Sequence, residues 1–185
     1  MSDWPRLFAP VSPILNPWSP EAYGAALNGS THTMLGNAAS TAWPANNQAM
    51  YIPFRITAPA LVRQLLFMVG GTSSGNIDVG IYDSQKHLIV SSGSTAMSAS
   101  TNTVQELNVT DKWLNPGEYL LGASCSTTAG TVFGLGSIAD ELMLPVITLY
   151  QEASALPLPA TATPVVSTDG TPKLPLIGIQ FAATF

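Results

Sequence analysis

From residue 48 onward the chain is a series of short apolar runs, each closed by a turn signal, and this pattern limits the fold more than any other feature. Asn76-Ile-Asp-Val-Gly-Ile-Tyr82 alternates strictly, which places Ile77, Val79 and Ile81 on one face of a strand. Asp83-Ser-Gln-Lys86 reads as a turn and His87–Val90 as the returning strand of a hairpin. Thr103–Val109 alternates again, with Thr103, Gln105, Leu107 and Val109 on one face and Val104 opposite. Asn115-Pro-Gly117 is a turn signal before Glu118–Cys125. Ala49–Phe54 is a short extended run whose Pro53 suits an edge position. Ala60–Val69, bounded by Pro59 and Gly70-Gly71, is a strand rather than a helix. Thr131–Leu135, Val146–Tyr150 and Leu176–Phe181 complete the set.

About eight strands with turns roughly every 8–14 residues predict an all-β, antiparallel, jelly-roll-like sandwich. Helix caps followed by a 3.6-residue period are absent; Ala22–Leu27 and Ile138–Met143 have room for a turn or two. The expected organisation is an extended Pro/aromatic N-terminal arm over 1–46 and a sandwich over 47–185. A Pro-rich loop at about 152–175 carries Pro157, Pro159, Pro164, Pro172 and Pro175. A loop of that length in a compact domain is expected to be functional or mobile.

The arm is distinct in composition. Pro5, Pro10, Pro13, Pro17, Pro20 and Pro44 exclude a regular helix or a central strand, because proline lacks a donor and forces its predecessor into extended geometry. Trp4, Phe8, Trp18, Tyr23 and Trp43 lie among them, and large rings need a surface to cover. They either cap one end of their own domain or dock on a neighbouring subunit. The second makes them interface candidates.

Charge narrows the partners. Charged residues are only 9% of the 185, hydrophobic ones 46%, and the net charge is −5. The six Lys and Arg (Arg6, Arg55, Arg63, Lys86, Lys112, Lys173) are scattered, whereas a phosphate-binding surface gathers several cations on one face. Nucleic acid is therefore not an expected partner. Neither is a membrane, since Leu61–Gly71 and Leu142–Tyr150 fall far short of the roughly 20 apolar residues of a spanning helix. The N-terminal Met-Ser-Asp-Trp-Pro-Arg lacks the basic and apolar regions of a signal peptide, and the lone Cys125 leaves no intrachain disulfide. Synthesis in a reducing cytoplasm is expected.

Chemistry is sparse. Nucleophilic hydrolysis needs a nucleophile beside a histidine oriented by a carboxylate. Only His32 and His87 exist, without a Gly-x-Ser-x-Gly elbow, and both read as surface or interface residues. Cys125 in an apolar strand reads as a small hydrophobe. Two histidines and one cysteine make no zinc cluster. Asn76, Asp78 and Asp83 share a hairpin but do not converge for calcium; turn chemistry accounts for Asp83 and solvent exposure for Asp78. Asp140-Glu141 reads as a loop or helix-start charge, and Gly134-Leu-Gly136 as a packing feature rather than a phosphate cradle. No catalytic residue, metal or cofactor is expected. Trp113 and Tyr119 are the rings on which a sugar would stack, although core or rim packing also accounts for them.

The hairpin Gly80-Ile-Tyr-Asp-Ser84 followed by Leu114-Asn-Pro-Gly-Glu-Tyr-Leu-Leu121 resembles the β-sandwich modules of structural proteins in tailed bacteriophages. The resemblance covers about residues 49–135, under half the chain, and similar strands occur in carbohydrate-binding jelly rolls. It implies a non-enzymatic virion component, foremost a capsid decoration protein docked through its arm. A tail, collar or fibre component, or a host-receptor carbohydrate-binding module, is the alternative. The implied partners are copies of itself and other virion proteins such as the major capsid protein, with a glycan as a further ligand. The implied location is the virion, after synthesis in the host cytoplasm.

Overall fold

The computed structural model describes residues 38–135, 150–153, 155–167 and 174–182. Every regular element among them is a β-strand, and every pairing is antiparallel. The strands are β1 (Ala38–Ala42), β2 (Gln48–Ile56), β3 (Ala60–Met68), β4 (Asn76–Tyr82), β5 (Leu88–Ser91), β6 (Thr95–Ala96) and β7 (Val104–Leu114). They continue with β8 (Gly117–Cys125), β9 (Thr131–Leu135), β10 (Tyr150–Glu152), β11 (Val165–Val166), β12 (Leu174–Pro175) and β13 (Ile177–Phe181).

One layer is a seven-stranded sheet in the order β11-β10-β2-β8-β4-β5, with β6 also paired to β4. The other comprises β13-β3-β7 and β1-β9-β12, joined where Val69 bridges Val132. Strands distant in sequence are neighbours in both layers: β2 lies between β8 and β10, and β3 between β7 and β13.

Alternation builds the core. Ile52, Phe54 and Ile56 from β2, Ile77, Val79 and Ile81 from β4, and Leu121, Ala123 and Cys125 from β8 point inward from the first layer. Val62, Leu65 and Phe67 from β3, Leu107 from β7, and Ile177 and Ile179 from β13 meet them from the second. β-branched and aromatic side chains suit this half-pleated packing.

Several expectations change. The sandwich begins before residue 47, because β1 pairs with β9 from Ala38↔Leu135 to Ala42↔Thr131. Trp43, expected as an interface anchor, is 2% exposed and belongs to the core. Its ring lies 6.3 Å from Phe67, and its indole N–H donates to the Gln48 carbonyl at 2.7 Å. A ring so placed closes its own domain. Pro53 keeps an edge-like position, although β2 as a whole lies between β8 and β10. It avoids the usual penalty because, among the described residues, β10 pairs only with Ala49–Tyr51. The remaining arm rings, Trp4, Phe8, Trp18 and Tyr23, lie outside the described residues, as do His32, Asp140 and Glu141.

Candidate functional site

The outer face of the seven-stranded sheet carries Ala49 and Tyr51 from β2, Gly122 from β8, and Asp78, Gly80 and Tyr82 from β4. Instead of meeting water, these residues lie under residues 155–164, in the middle of the expected Pro-rich loop. The loop is a strap. Ala155, Leu158 and Ala162 form a second small core with Ala49, Tyr51 and Tyr82. Gly80 and Gly122 face each other across β4 and β8 and provide the depth. A Cβ on Gly80 would stand 2.9 Å from Leu158 Cδ1, and one on Gly122 would stand 2.8 Å from Tyr51 Cδ1.

Polar bonds fix the strap along its length. Leu88 N donates to Ala160 O, and Ala162 N to Lys86 O, each at 2.9 Å. The Tyr82 hydroxyl donates to Pro159 O at 2.9 Å. Tyr51 donates to Glu152 at 2.7 Å, and the same carboxylate accepts from Thr163 N at 3.0 Å and Thr163 Oγ1 at 2.8 Å. At the centre Asp78 accepts from Ser91 Oγ at 2.9 Å, Ser92 Oγ at 3.2 Å and Leu158 N at 3.0 Å. The expected solvent exposure of Asp78 is thus wrong: the residue is 0% exposed, because the strap covers it. Burial pushes its carboxyl above the ordinary range, against the downward pull of the Leu158, Ser91 and Ser92 bonds. Burial also raises the hydroxyls of Tyr51 and Tyr82 far beyond physiological pH, so both remain donors.

Where the strap ends, a cleft of about 280 Å³ opens on the same face. Pro53, Leu120, Tyr150 and Pro164 line it, with Lys86 and Glu118 among its polar groups. Glu118 is held by Arg55 at 3.3 Å. Tyr119 also borders the cleft, but its ring stacks on Phe54 at 5.6 Å and its hydroxyl donates to Asn115 O at 2.7 Å. It therefore serves packing and the 115–116 turn rather than ligand stacking.

The opposite outer face, on β13-β3-β7, carries no strap among the described residues. Trp113 stands there 61% exposed, opposite Leu61 in the β3–β7 register. Nearby, Arg63 Nε lies 3.6 Å from Asp111 Oδ2. Farther along the strand, Gln64 Nε2 donates to Asn108 Oδ1 at 2.9 Å and to Glu106 Oε2 at 3.4 Å. The β3–β7 register shifts between Val62 and Gln64, which lets the consecutive Arg63 and Gln64 both avoid the core.

The reactive groups have structural employment. Asp83 Oδ1 accepts from Gln85 N at 2.8 Å and His87 N at 2.9 Å, an Asx-type turn. The His87 N–H bond is the main reason the Asp83 carboxyl sits below its ordinary range. His87 Nδ1 lies 3.6 Å from Asp83 Oδ2 on the exposed turn. Cys125 is buried, its thiol pushed up by desolvation, and donates to Thr127 O at 3.3 Å. Among the described residues no three His, Cys, Asp or Glu side chains gather as a metal site. Sequence reasoning missed the strap and the Asp78 clamp. The opposed Gly80 and Gly122 were their only local trace.

Comparison with protein-family models, curated proteins and solved structures returned no match.

Proposed function

We propose that the chain is a non-enzymatic structural component of a tailed-phage virion, foremost a capsid decoration protein docked through the segment that precedes β1. A tail, collar or fibre position is the second place for the same design. One observation carries the reading: the sandwich supplies its own core ring, Trp43, and its own strap, while Trp4, Phe8, Trp18 and Tyr23 come before β1 in the sequence. Large rings in a Pro-rich segment suit burial at a subunit boundary. Anchors of that type are each worth about 2–4 kcal/mol, and many copies on one shell add by multivalency. The partners are copies of this chain and other virion proteins such as the major capsid protein. The sparse charge of the chain favours packing against protein over contact with nucleic acid.

Light scattering on the full chain and on a version starting at Ala38 tests the role of the segment. The Ala38 start keeps β1 and Trp43, which a start at Gln48 would remove. A defined oligomer for the full chain and a folded monomer for the shorter one is the expected result. Equal masses for the two would remove the segment as an assembly element. Mass spectrometry of purified phage particles tests location, and absence of the chain from particles would sink the virion reading.

A further inference from the structure

We propose that the exposed part of the β13-β3-β7 outer face around Trp113 binds a neutral oligosaccharide, with one pyranose ring stacked on Trp113. This rests on the exposed face alone and is independent of the virion reading.

A tryptophan at 61% exposure leaves an unusually large apolar area in water, whereas Trp43 in the same domain is buried. The β3–β7 bulge that turns Trp113 outward also leaves polar groups on the same strands. Arg63 and Asp111 form an ion pair beside it, and Gln64, Asn108 and Glu106 form a hydrogen-bonded row farther along. Trp113 lies opposite Leu61 and Asn108 opposite Gln64, so the bulged stretch between them spans three residues of β3, about 10 Å at 3.3 Å per residue, the length of a disaccharide.

A sugar ring has one apolar C–H face and a rim of hydroxyls that each donate and accept. The C–H face matches the indole, and the rim matches planar amides and carboxylates. Gln64 donates to its neighbours through Nε2, which leaves Oε1 to accept; Asn108 accepts through Oδ1, which leaves Nδ2 to donate. Both kinds of hydroxyl contact are thus available. A protein-docking hot spot would instead centre its ring in an apolar patch depleted of charge. Here Trp113 has Leu61 opposite it but charged Arg63 and Asp111 close by. An anionic sugar is disfavoured as well, because Asp111 neutralises Arg63 and the Glu106 carboxylate faces the same row.

Saturation-transfer difference NMR on the full chain tests the proposal. The probes are neutral tri- and tetrasaccharides of gluco, galacto, manno and rhamno configuration. At least one is expected to receive saturation, strongest at the protons of a single ring, with a Kd of millimolar order, about −4 kcal/mol. Trp113→Ala, at an exposed position, is expected to keep the melting temperature and weaken binding at least about tenfold, the loss of a ring contact worth 1.4 kcal/mol or more. Asn108→Ala is the second variant and is expected to weaken the same probe, so the test survives a folding defect in the first. Three outcomes would overturn the proposal: no transfer to any probe, undiminished transfer with both variants, or a Trp113→Ala variant that loses self-association while no sugar binds the parent. The first two leave the role of residues 1–37 in assembly untouched.

Discussion

The carboxylate of Asp78, 0% exposed in the middle of β4, accepts a 3.0 Å hydrogen bond from the backbone N–H of Leu158, eighty residues away. That bond joins the strap to the sheet at the point where Leu158 sits over Gly80. Ser91 and Ser92 complete the acceptor's partners from the adjoining hairpin. A buried carboxylate is tolerated only when its oxygens are satisfied, so the clamp and the strap depend on each other.

Asp78→Ala is expected to cost about 1–3 kcal/mol, since it leaves the Leu158 N–H and the Ser91 hydroxyl without their acceptor. Hydrogen exchange of the Leu158 amide should accelerate more than that of core amides such as Leu65. Uniform acceleration would mean that strap and sandwich open as one unit.

The same group gives stability a pH dependence of known sign. Burial raises the Asp78 carboxyl in the folded state, so the folded protein holds the proton more tightly than the unfolded chain. Between the unfolded value of about 3.9 and the raised folded value, folded molecules bind more protons, and this contribution falls as pH rises. Urea midpoints should therefore show the parent gaining on Asp78→Asn as pH drops from 7 toward about 4. A parent that loses ground over that range would contradict the assignment.

Gly122→Ala is expected to destabilise by about 1–3 kcal/mol through overpacking. The added methyl would meet Tyr51 at 2.8–2.9 Å and Tyr82 at 3.3 Å, where the two rings form an edge-to-face pair 5.5 Å apart at 80°. In an unobstructed strand the same change would help, because glycine weakens strand interiors. The sign of the shift in thermal midpoint decides.

Tyr51→Phe removes only the hydroxyl that donates to Glu152, and should cost about 1 kcal/mol. Glu152 keeps its two bonds from Thr163, so the loss should appear first as faster proteolysis within 155–167. An unchanged cleavage rate would show that Tyr51 acts through its ring alone.

Trp43→Ala should cost about 3–5 kcal/mol, the ordinary range for a buried aromatic truncated to alanine. A version starting at Gln48 lacks the same ring and β1 as well, and should unfold at lower urea than one starting at Ala38. Equal midpoints would mean that β1 and Trp43 are not part of the cooperative unit.

Most strands were legible because their information is local. Ile77, Val79 and Ile81 alternate, and the Asn115-Pro-Gly117 signal falls where β7 turns into β8. The cysteine was legible too, since an apolar strand predicts its burial. Trp43 was misread because proline and aromatic content were judged by neighbours in sequence, whereas its place depends on Phe67 across the core. Trp113 left two readings open, because exposure depends on a bulge that alternation alone does not reveal.

The amino-acid sequence alone determined that this protein is an antiparallel β-sandwich, since residue period and turn chemistry are set by neighbours a few positions apart. Only the tertiary structure decided that the outer face of the seven-stranded sheet is covered, and by which segment. The strap lies about eighty residues from Asp78 in the chain, and nothing local distinguishes a Pro-rich segment that solvent surrounds from one that a buried carboxylate and two opposed glycines hold in place.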